Sequence, residues 1–375
     1  MDYCLRGEDW PSELLDRAIA IDEGRALLSV VVERLGDLFE PRLCEVYERL
    51  FREVIARVAP ELVQRLREPE AEAVAPKTCQ KIYVLSRVTL GADVAVTSVL
   101  IDAAKQRYPG AKIFFVGPRK AYELFEADPR VRHFSAPYER GGTLRERLEA
   151  SAALKFDDGI VIDPDSRLTQ LGVISVCDES KYFFFESRAY GGDSDESLPV
   201  LAARWAQEVF EVEDARPFIA PQPATGPPID ITVSLGVGEN PAKRVGDKFE
   251  RDLLRKVAAT DATVLVDKGG TPEERERVER ALPAGMRTHD GAFAPFAAQI
   301  ARSKLFIGYD SAGGHVASAC NVPLISIAKG FVSPRMAARW TPLGGTVIRA
   351  DRPDLLTAVE GAIRTLRPTV RDRKF

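Results

Sequence analysis

KIYVLSRVTLGADVAVTSVLIDAAKQRYPGAKIFFVG, residues 81–117, reads as one complete structural unit. An apolar strand-like run comes first. A turn containing Gly91 follows, then an amphipathic helix, a stop at Pro109-Gly110, and a second apolar run. Strand, helix and strand of this length form a βαβ unit, whose crossover sets the two strands parallel. The expected fold class is therefore α/β with a doubly wound parallel sheet. Ligands of such sheets sit at the carboxyl ends of strands, so candidate chemistry belongs in the turns that follow strands.

Working outward, further strand-like runs cover 158–162 and 181–185, and a helix-like stretch covers 197–212. The proline-dense EDARPFIAPQPATGPPID (213–230) reads as an interdomain connection. The plan then repeats. A strand and glycine loop occupy 230–240, a helix 246–259, a strand 262–270, and helices 271–282 and 293–303. Strands at 304–308 and 323–328 flank a short turn, and a last helix spans 352–366. Two successive units of this kind predict two Rossmann-like doubly wound lobes facing a cleft.

Before the first strand the pattern is different. Apolar residues fall at 43, 46, 47, 50, 51, 54, 55, 58, 62, 63 and 66, with Arg and Glu opposite. That is a helical stripe. Residues 12–39 also read as helical, with Pro11 near their start. The stripe leaves three partners open: itself, the following domain, or a second subunit, the last giving a homodimer. A sharper reading makes it a membrane-surface or partner-docking helix, although Glu is nearly as frequent as Arg on its polar face, which weakens the anionic-lipid form. REPEAEAVAPKTCQ (67–80) reads as a linker. The expected organisation is an all-helical extension over 1–78, a first lobe over 79–215, a Pro-rich linker over 216–229, a second lobe over 230–350, and a helix and tail over 351–375.

Bulk properties narrow the function classes. The chain has 375 residues, 45% hydrophobic and 29% charged, with formal net charge -4. This balance argues against a nucleic-acid partner, which would need phosphate neutralisation. No apolar run approaches the roughly 18–20 residues that span a bilayer. The N-terminus lacks a basic and an apolar signal region. The five cysteines are scattered and show no metal-ligand spacing, so neither a zinc site nor a disulfide framework is expected, and a cytoplasmic location is.

Four turns carry candidate chemistry. In SRVTLGADVAVTS (86–98), Asp93 is either a helix-capping acid or a carboxylate facing the cleft as general base. In LGVGENPAKRVGDKF (235–249), Gly236 and Gly238 free the backbone to approach a ligand, and Lys243 offers a cation to a phosphate. In DKGGTPEERE (267–276), Thr271, Pro272 and Glu274 form a capping box, while Glu273 is left over and could accept hydrogen bonds from a ribose. In GYDSAGGHVASACNVPLISIAKG (308–330), a helix opens near Ala312, and its free N–H groups suit a pyrophosphate. Gly313 and Gly314 permit close approach, and His315 could donate to a phosphate oxygen or simply pack between strand and helix.

Taken in order, these pieces resemble glycosyltransferase family 9, the bacterial ADP-heptose:lipopolysaccharide heptosyltransferases. The 81–116 stretch is similar to the family's opening strand, its Leu-Gly-Asp turn with Thr four residues after the Asp, and its Tyr-Pro helix end. DDGIVIDPDSRL (157–168) resembles its Asp-x-Val-Ile-Asp strand. GVGENPAKRVGDKF resembles its loop ending in Lys-Arg-Trp-Pro. DSAGGHVASACNVPLISI resembles its Asp-Ser/Thr-Gly-x-x-His turn. The likeness covers roughly 81–350.

The resemblance implies the two-lobed GT-B fold, with an acceptor in the first lobe and a nucleotide-diphosphate sugar in the second. It implies inverting transfer of a heptose or related sugar to an acceptor hydroxyl, without metal or other cofactor and with an ADP-sugar favoured. Carried over by motif, Asp93 is the general base, Lys243 contacts the donor phosphates, and Glu273 or Glu274 meets the ribose. Asp310, Ser311, Gly313, Gly314 and His315 line the diphosphate and sugar region. The acceptor implied is a glycan or glycolipid in surface lipopolysaccharide assembly, which would place the protein at the inner membrane face as a peripheral component. The chain departs from the pattern in three places. An extra residue, Ala92, separates Gly91 from Asp93. Val245 stands where Trp is usual, and Ala312 where Gly is usual. Competing readings are a non-catalytic GT-B module that binds nucleotide or glycan for a partner protein, transfer to a protein or small metabolite, and a GT-B sugar-nucleotide epimerase.

Overall fold

The computed structural model describes residues 1–68, 73–238 and 240–372. Part of the expected 67–80 linker (69–72) and the last three residues of the expected tail lie outside them. The chain forms two compact units. The first comprises Met1–Tyr122, Pro129–Arg216 and Val332–Arg339; the second comprises Glu123–Asp128, Pro217–Phe331 and Trp340–Phe375.

The first unit holds five strands: β1 (Lys81–Leu85), β2 (Lys112–Gly117), β3 (Val131–Ser135), β4 (Ile160–Asp163) and β5 (Tyr182–Phe184). Their order is β3-β2-β1-β4-β5, and every pair is parallel. The quoted 81–117 stretch supplies β1, the helix Ser98–Arg107 and β2, as its pattern predicts. Ile82, Val84 and Leu85 of β1 are wholly buried, which is what a central parallel strand covered on both faces requires.

The second unit repeats the plan with β6 (Ile231–Ser234), β7 (Val264–Asp267), β8 (Arg287–His289), β9 (Leu305–Tyr309), β10 (Leu324–Ala328) and β11 (Thr346–Arg349). Their order is β11-β10-β9-β6-β7-β8, again all parallel. One hydrophobic cluster unites β6, β7, β9 and β10 with the helices Asp247–Ala258 and Pro272–Ala281 and the start of the C-terminal helix.

The helical extension is real but more broken than its periodicity predicts. The 12–39 stretch is not one helix. Helix Ser12–Ala20 ends in a 3-10 turn, where Asp22 (φ 51°) and Glu23 (φ 53°) are left-handed. A π-helical stretch, Leu27–Val32, and a short helix, Glu33–Asp37, then follow. The long helix is Pro41–Val58 and stops short of 66, because Pro60 disfavours helical backbone at Ala59 (φ -141°); Pro60–Arg65 is a 3-10 turn.

The apolar stripe of Pro41–Val58 packs inward. Leu43, Val46, Tyr47, Leu50, Phe51, Val54 and Ile55 are buried. They share one core with Leu144, Leu148, Val173 and Ile174 of the sheet-bearing part. Residues 1–66 thus belong to the same compact unit as β1–β5, and the stripe is used up as core rather than left as a lipid or docking surface. No helix among the described residues is long and apolar enough to cross a membrane.

Candidate functional site

In a doubly wound sheet the crevice opens where the strand order reverses. In the second unit that point lies between β6 and β9. The turns after these two strands, 235–246 and 310–315, flank it. Two oppositely charged side chains come from its two sides: Lys243 Nζ lies 2.5 Å from Asp310 Oδ2 and 3.2 Å from the Asp310 carbonyl oxygen. Lys243 sits in a 3-10 turn, Pro241–Lys243, opened by Asn240, whose side chain accepts from Ala242 N. Gly330 lets the loop after β10 close on this turn, since a Cβ there would stand 2.8 Å from the Ala242 carbonyl.

The helix after β9 is Ala312–Ala319, with Ser311 at its N-cap making no side-chain cap bond. The glycines behind Ser311 have different reasons to be there. A Cβ on Gly313 would come within 2.6 Å of the Phe306 ring, so that glycine serves packing. A Cβ on Gly314 would meet nothing within 4 Å, so packing does not explain that glycine. His315 is buried, with its ring edge-on to Trp340 at 5.9 Å. Burial is the main force lowering its pKa; Asp310 opposes it and Lys243 adds to it. A neutral imidazole results, able to donate one hydrogen bond.

Thr271 Oγ1 accepts from Glu274 N, which is one half of the expected capping box; the return bond from Glu274 to the Thr271 N–H is not made. The Glu274 carboxylate, however, reaches further: it accepts from Gly270 N at 3.0 Å and from Val237 N at 2.9 Å. It therefore ties the loop after β7 to the glycine loop after β6. Gly238 there is left-handed (φ 59°), while Gly236 has an ordinary φ. Glu273 is exposed at the first helical turn, with a pKa lowered by hydrogen bonds from its own backbone and from Thr271.

In the first unit, Asp93 follows β1 and opens the π-helical stretch as its first-turn acid, but its side chain makes no helix-cap bond. It is wholly buried and takes three hydrogen bonds: Ser86 Oγ donates at 2.8 Å, Arg87 N at 2.7 Å and Thr97 Oγ1 at 2.8 Å. Burial outweighs these bonds and pushes its pKa up to about 6. The helix there is α over Leu90–Ala92 and π over Asp93–Thr97. Single π-turns inside α-helices are frequent at functional positions. Ala92 itself lies in the α part, just before Asp93, and the Thr97 hydroxyl at the end of the π part reaches back to Asp93. Val88 in the same turn is left-handed (φ 67°), a strained conformation for a β-branched residue, and its N–H is held by Ser86 Oγ at 2.8 Å.

Two buried polar networks carry no sequence signal of their own. Glu250 is fully buried between Arg277 (2.5 Å), Arg244 (3.0 Å) and the Tyr309 hydroxyl (3.0 Å), under the Lys243 turn. Asp165, left-handed at φ 71°, receives Arg188 at 2.6 and 2.8 Å and Ser187 Oγ at 2.9 Å. The helical periodicity of 246–259 hides Glu250. Asp165 falls within the DDGIVIDPDSRL stretch without standing out.

No protein-family description and no curated protein sequence matches the chain. Solved structures do. E. coli heptosyltransferase WaaC with ADP superposes with TM-score 0.57 at 16% identity, over 76% of this chain and 100% of that one. A glycosyl transferase family 9 protein from Veillonella parvula gives TM-score 0.56 at 16% identity, over 78% and 98%. E. coli ADP-heptose lps heptosyltransferase II gives 0.55 at 18%, over 76% and 98%. At these identities the likeness shows the fold: two Rossmann-like lobes of the GT-B kind.

Proposed function

We propose that the protein is an inverting glycosyltransferase that takes a heptose or related sugar from an ADP-sugar and passes it to an acceptor hydroxyl in surface-glycan assembly. One observation carries the reading. Lys243 and Asp310 meet at the switch point of the second sheet, beside a helix N-terminus with open space at Gly314 and a neutral His315. A diphosphate suits that place, because helix N–H groups and Lys243 would meet its charge as it leaves. Without a metal, these groups carry that task. The loop held by Glu274, with Gly236, Gly238 and Glu273, would face the nucleoside, and Ser311 and Gly313 would shape the floor.

The fold shared with WaaC, whose structure contains ADP, supports the donor class. Asp93 is the proposed general base. An alcohol is a poor nucleophile until a carboxylate takes its proton, and a pKa near 6 is close to the optimum for a base at neutral pH. The first test is a thermal-shift series with ADP-, GDP-, UDP- and dTDP-sugars. Stabilisation by an ADP-sugar with ADP release on adding a glycan acceptor supports the reading; no stabilisation by any of them ends it.

A second reading has its own observation. Asp93 is fully enclosed by three donors, as a purely structural acid would be. On that reading the protein is a non-catalytic module that binds the nucleotide or glycan for a partner. Sugar transfer by the purified chain separates the two.

A further inference from the structure

The first unit contains a cavity of about 210 Å³ that none of the motifs above accounts for. Leu35, Cys44 and Tyr47 of the helical extension form one wall. Phe184, Glu186 and Arg188, at and just beyond the end of β5, form the other. It thus lies at the carboxyl edge of the sheet, where doubly wound folds bind ligands, but it is closed by residues from outside the α/β part.

Its chemistry narrows the occupant. Its size is below the roughly 300 Å³ where drug-sized sites begin, and suits one monosaccharide-sized body. Its cations are already neutralised: Arg188 by Asp165 at 2.6 Å, and Arg67 by Glu179 at 2.9 Å. Three carboxylates, Glu48, Asp165 and Glu186, line it against these two guanidiniums, so an anionic ligand is disfavoured. Glu186 is different. Among the described residues its carboxylate takes no hydrogen bond and no ion pair. The residue lines the cavity and is exposed as a whole; desolvation and the nearby Asp165 push its pKa up to about 7. A carboxyl that changes protonation near neutrality can accept from a hydroxyl or donate to one. The Phe184 ring and Leu35 add apolar surface of the sort that the C–H face of a sugar covers.

The cavity is also wired to Asp93. Ser187 Oγ donates to Asp165 at 2.9 Å, the Arg87 guanidinium donates to Ser187 Oγ and to the Pro164 carbonyl, and Arg87 N donates to Asp93 at 2.7 Å. One buried network runs from the cavity wall to the proposed base.

We propose that this cavity holds a neutral, hydroxyl-bearing sugar unit of the acceptor, bonded through Glu186, and that the helical extension selects the acceptor by closing it. The proposal rests on the glycosyl-transfer reading and adds the acceptor's chemical class. The test uses the full chain. Saturation-transfer NMR measures binding of methyl glycosides of glucose, galactose, mannose and N-acetylglucosamine, with inorganic phosphate as the anionic probe and ADP titrated in the same samples. At least one glycoside binds, Glu186→Gln weakens it at least tenfold, and Cys44→Trp, which fills the cavity, removes it. ADP affinity stays within twofold in both variants. Should Cys44→Trp fail to fold, Glu186→Gln decides alone. The proposal is overturned if no glycoside binds, if a bound glycoside ignores both substitutions, or if phosphate binding is what they remove. Failure of ADP to bind the unaltered chain would overturn the transferase reading instead.

Discussion

Lys243 Nζ and Asp310 Oδ2 stand 2.5 Å apart although 67 residues separate them in the chain. Asp310 is nearly buried and Lys243 four-fifths covered, so the pair is fixed rather than a fluctuating surface contact. It leaves Lys243 with one proton still to donate, since an ammonium has three protons and Asp310 uses two acceptor sites. Lys243→Ala is expected to weaken ADP binding by roughly 10- to 100-fold, the size of one or two charge-assisted hydrogen bonds. Calorimetric titration checks it. Unchanged affinity would remove Lys243 from the donor site.

The two glycines at the helix start separate packing from binding. Gly313→Ala forces a Cβ to within 2.6 Å of the Phe306 ring and is expected to destabilise the fold by about 1–3 kcal/mol. Gly314→Ala meets nothing within 4 Å and should leave the melting temperature almost unchanged. If a diphosphate approaches there, Gly314→Ala still weakens ADP binding at least tenfold. Equal behaviour of the two variants in both assays would contradict the assignment.

Glu274→Ala leaves Val237 N and Gly270 N without their shared carboxylate. A loss of about 1–3 kcal/mol in unfolding free energy is expected, together with weaker ADP binding as the glycine loop loosens. Glu273→Ala should change stability by less than about 0.5 kcal/mol, because its side chain is exposed. Any loss of affinity in Glu273→Ala then reports on contact with the nucleotide.

Asp93→Asn should lower transfer by about 10²- to 10⁴-fold with ADP affinity nearly unchanged. The activity of the unaltered enzyme should fall on the acid side with a midpoint near pH 6, since the base must be ionised. Stability moves the other way. The folded protein holds the Asp93 proton more tightly than the unfolded chain does, so this group's contribution falls as pH rises from about 4 to about 6. A pH series of chemical denaturation, compared between Asp93→Asn and the parent, shows whether that slope disappears. The variant also removes a clamp on the turn in which Val88 is left-handed, so its melting temperature must be measured alongside activity.

Phe51 is fully buried in the core shared by the extension and the sheet-bearing part. Phe51→Ala is expected to cost about 3–5 kcal/mol. Removal of residues 1–66 should unfold the first unit rather than release a stable lobe. A cooperative melt of the truncated chain at an unchanged temperature would show the extension to be dispensable.

The strands legible in the sequence are those buried on both faces. β1, β2, β4, β6, β7, β9 and β10 are continuous apolar runs, the edge strand β5 was legible too through its aromatic run Tyr182–Phe184, and their order along the chain suffices for two parallel sheets. β3, β8 and β11 gave no such signal. They are short or edge strands, with exposed positions such as Arg132, Arg287 and Arg349, and only the neighbouring strand makes them strands. In the same way, local spacing singled out Asp93, Lys243, Asp310 and His315, because turns after strands advertise themselves through glycine and rare polar residues. What each residue touches depended on tertiary structure. Glu274 reaches across to another loop, Gly313 faces a ring rather than a ligand, Glu250 and Asp165 acquire meaning from partners such as Arg277 and Arg188 more than twenty residues away, and Glu186 from the distant segment that closes its cavity. Periodicity reports how one segment divides between core and solvent. It carries no information on which distant segment completes the core, and for that reason the covering of the helical stripe, the π-turn over Asp93–Thr97 and the cavity behind Glu186 were decided by the fold alone.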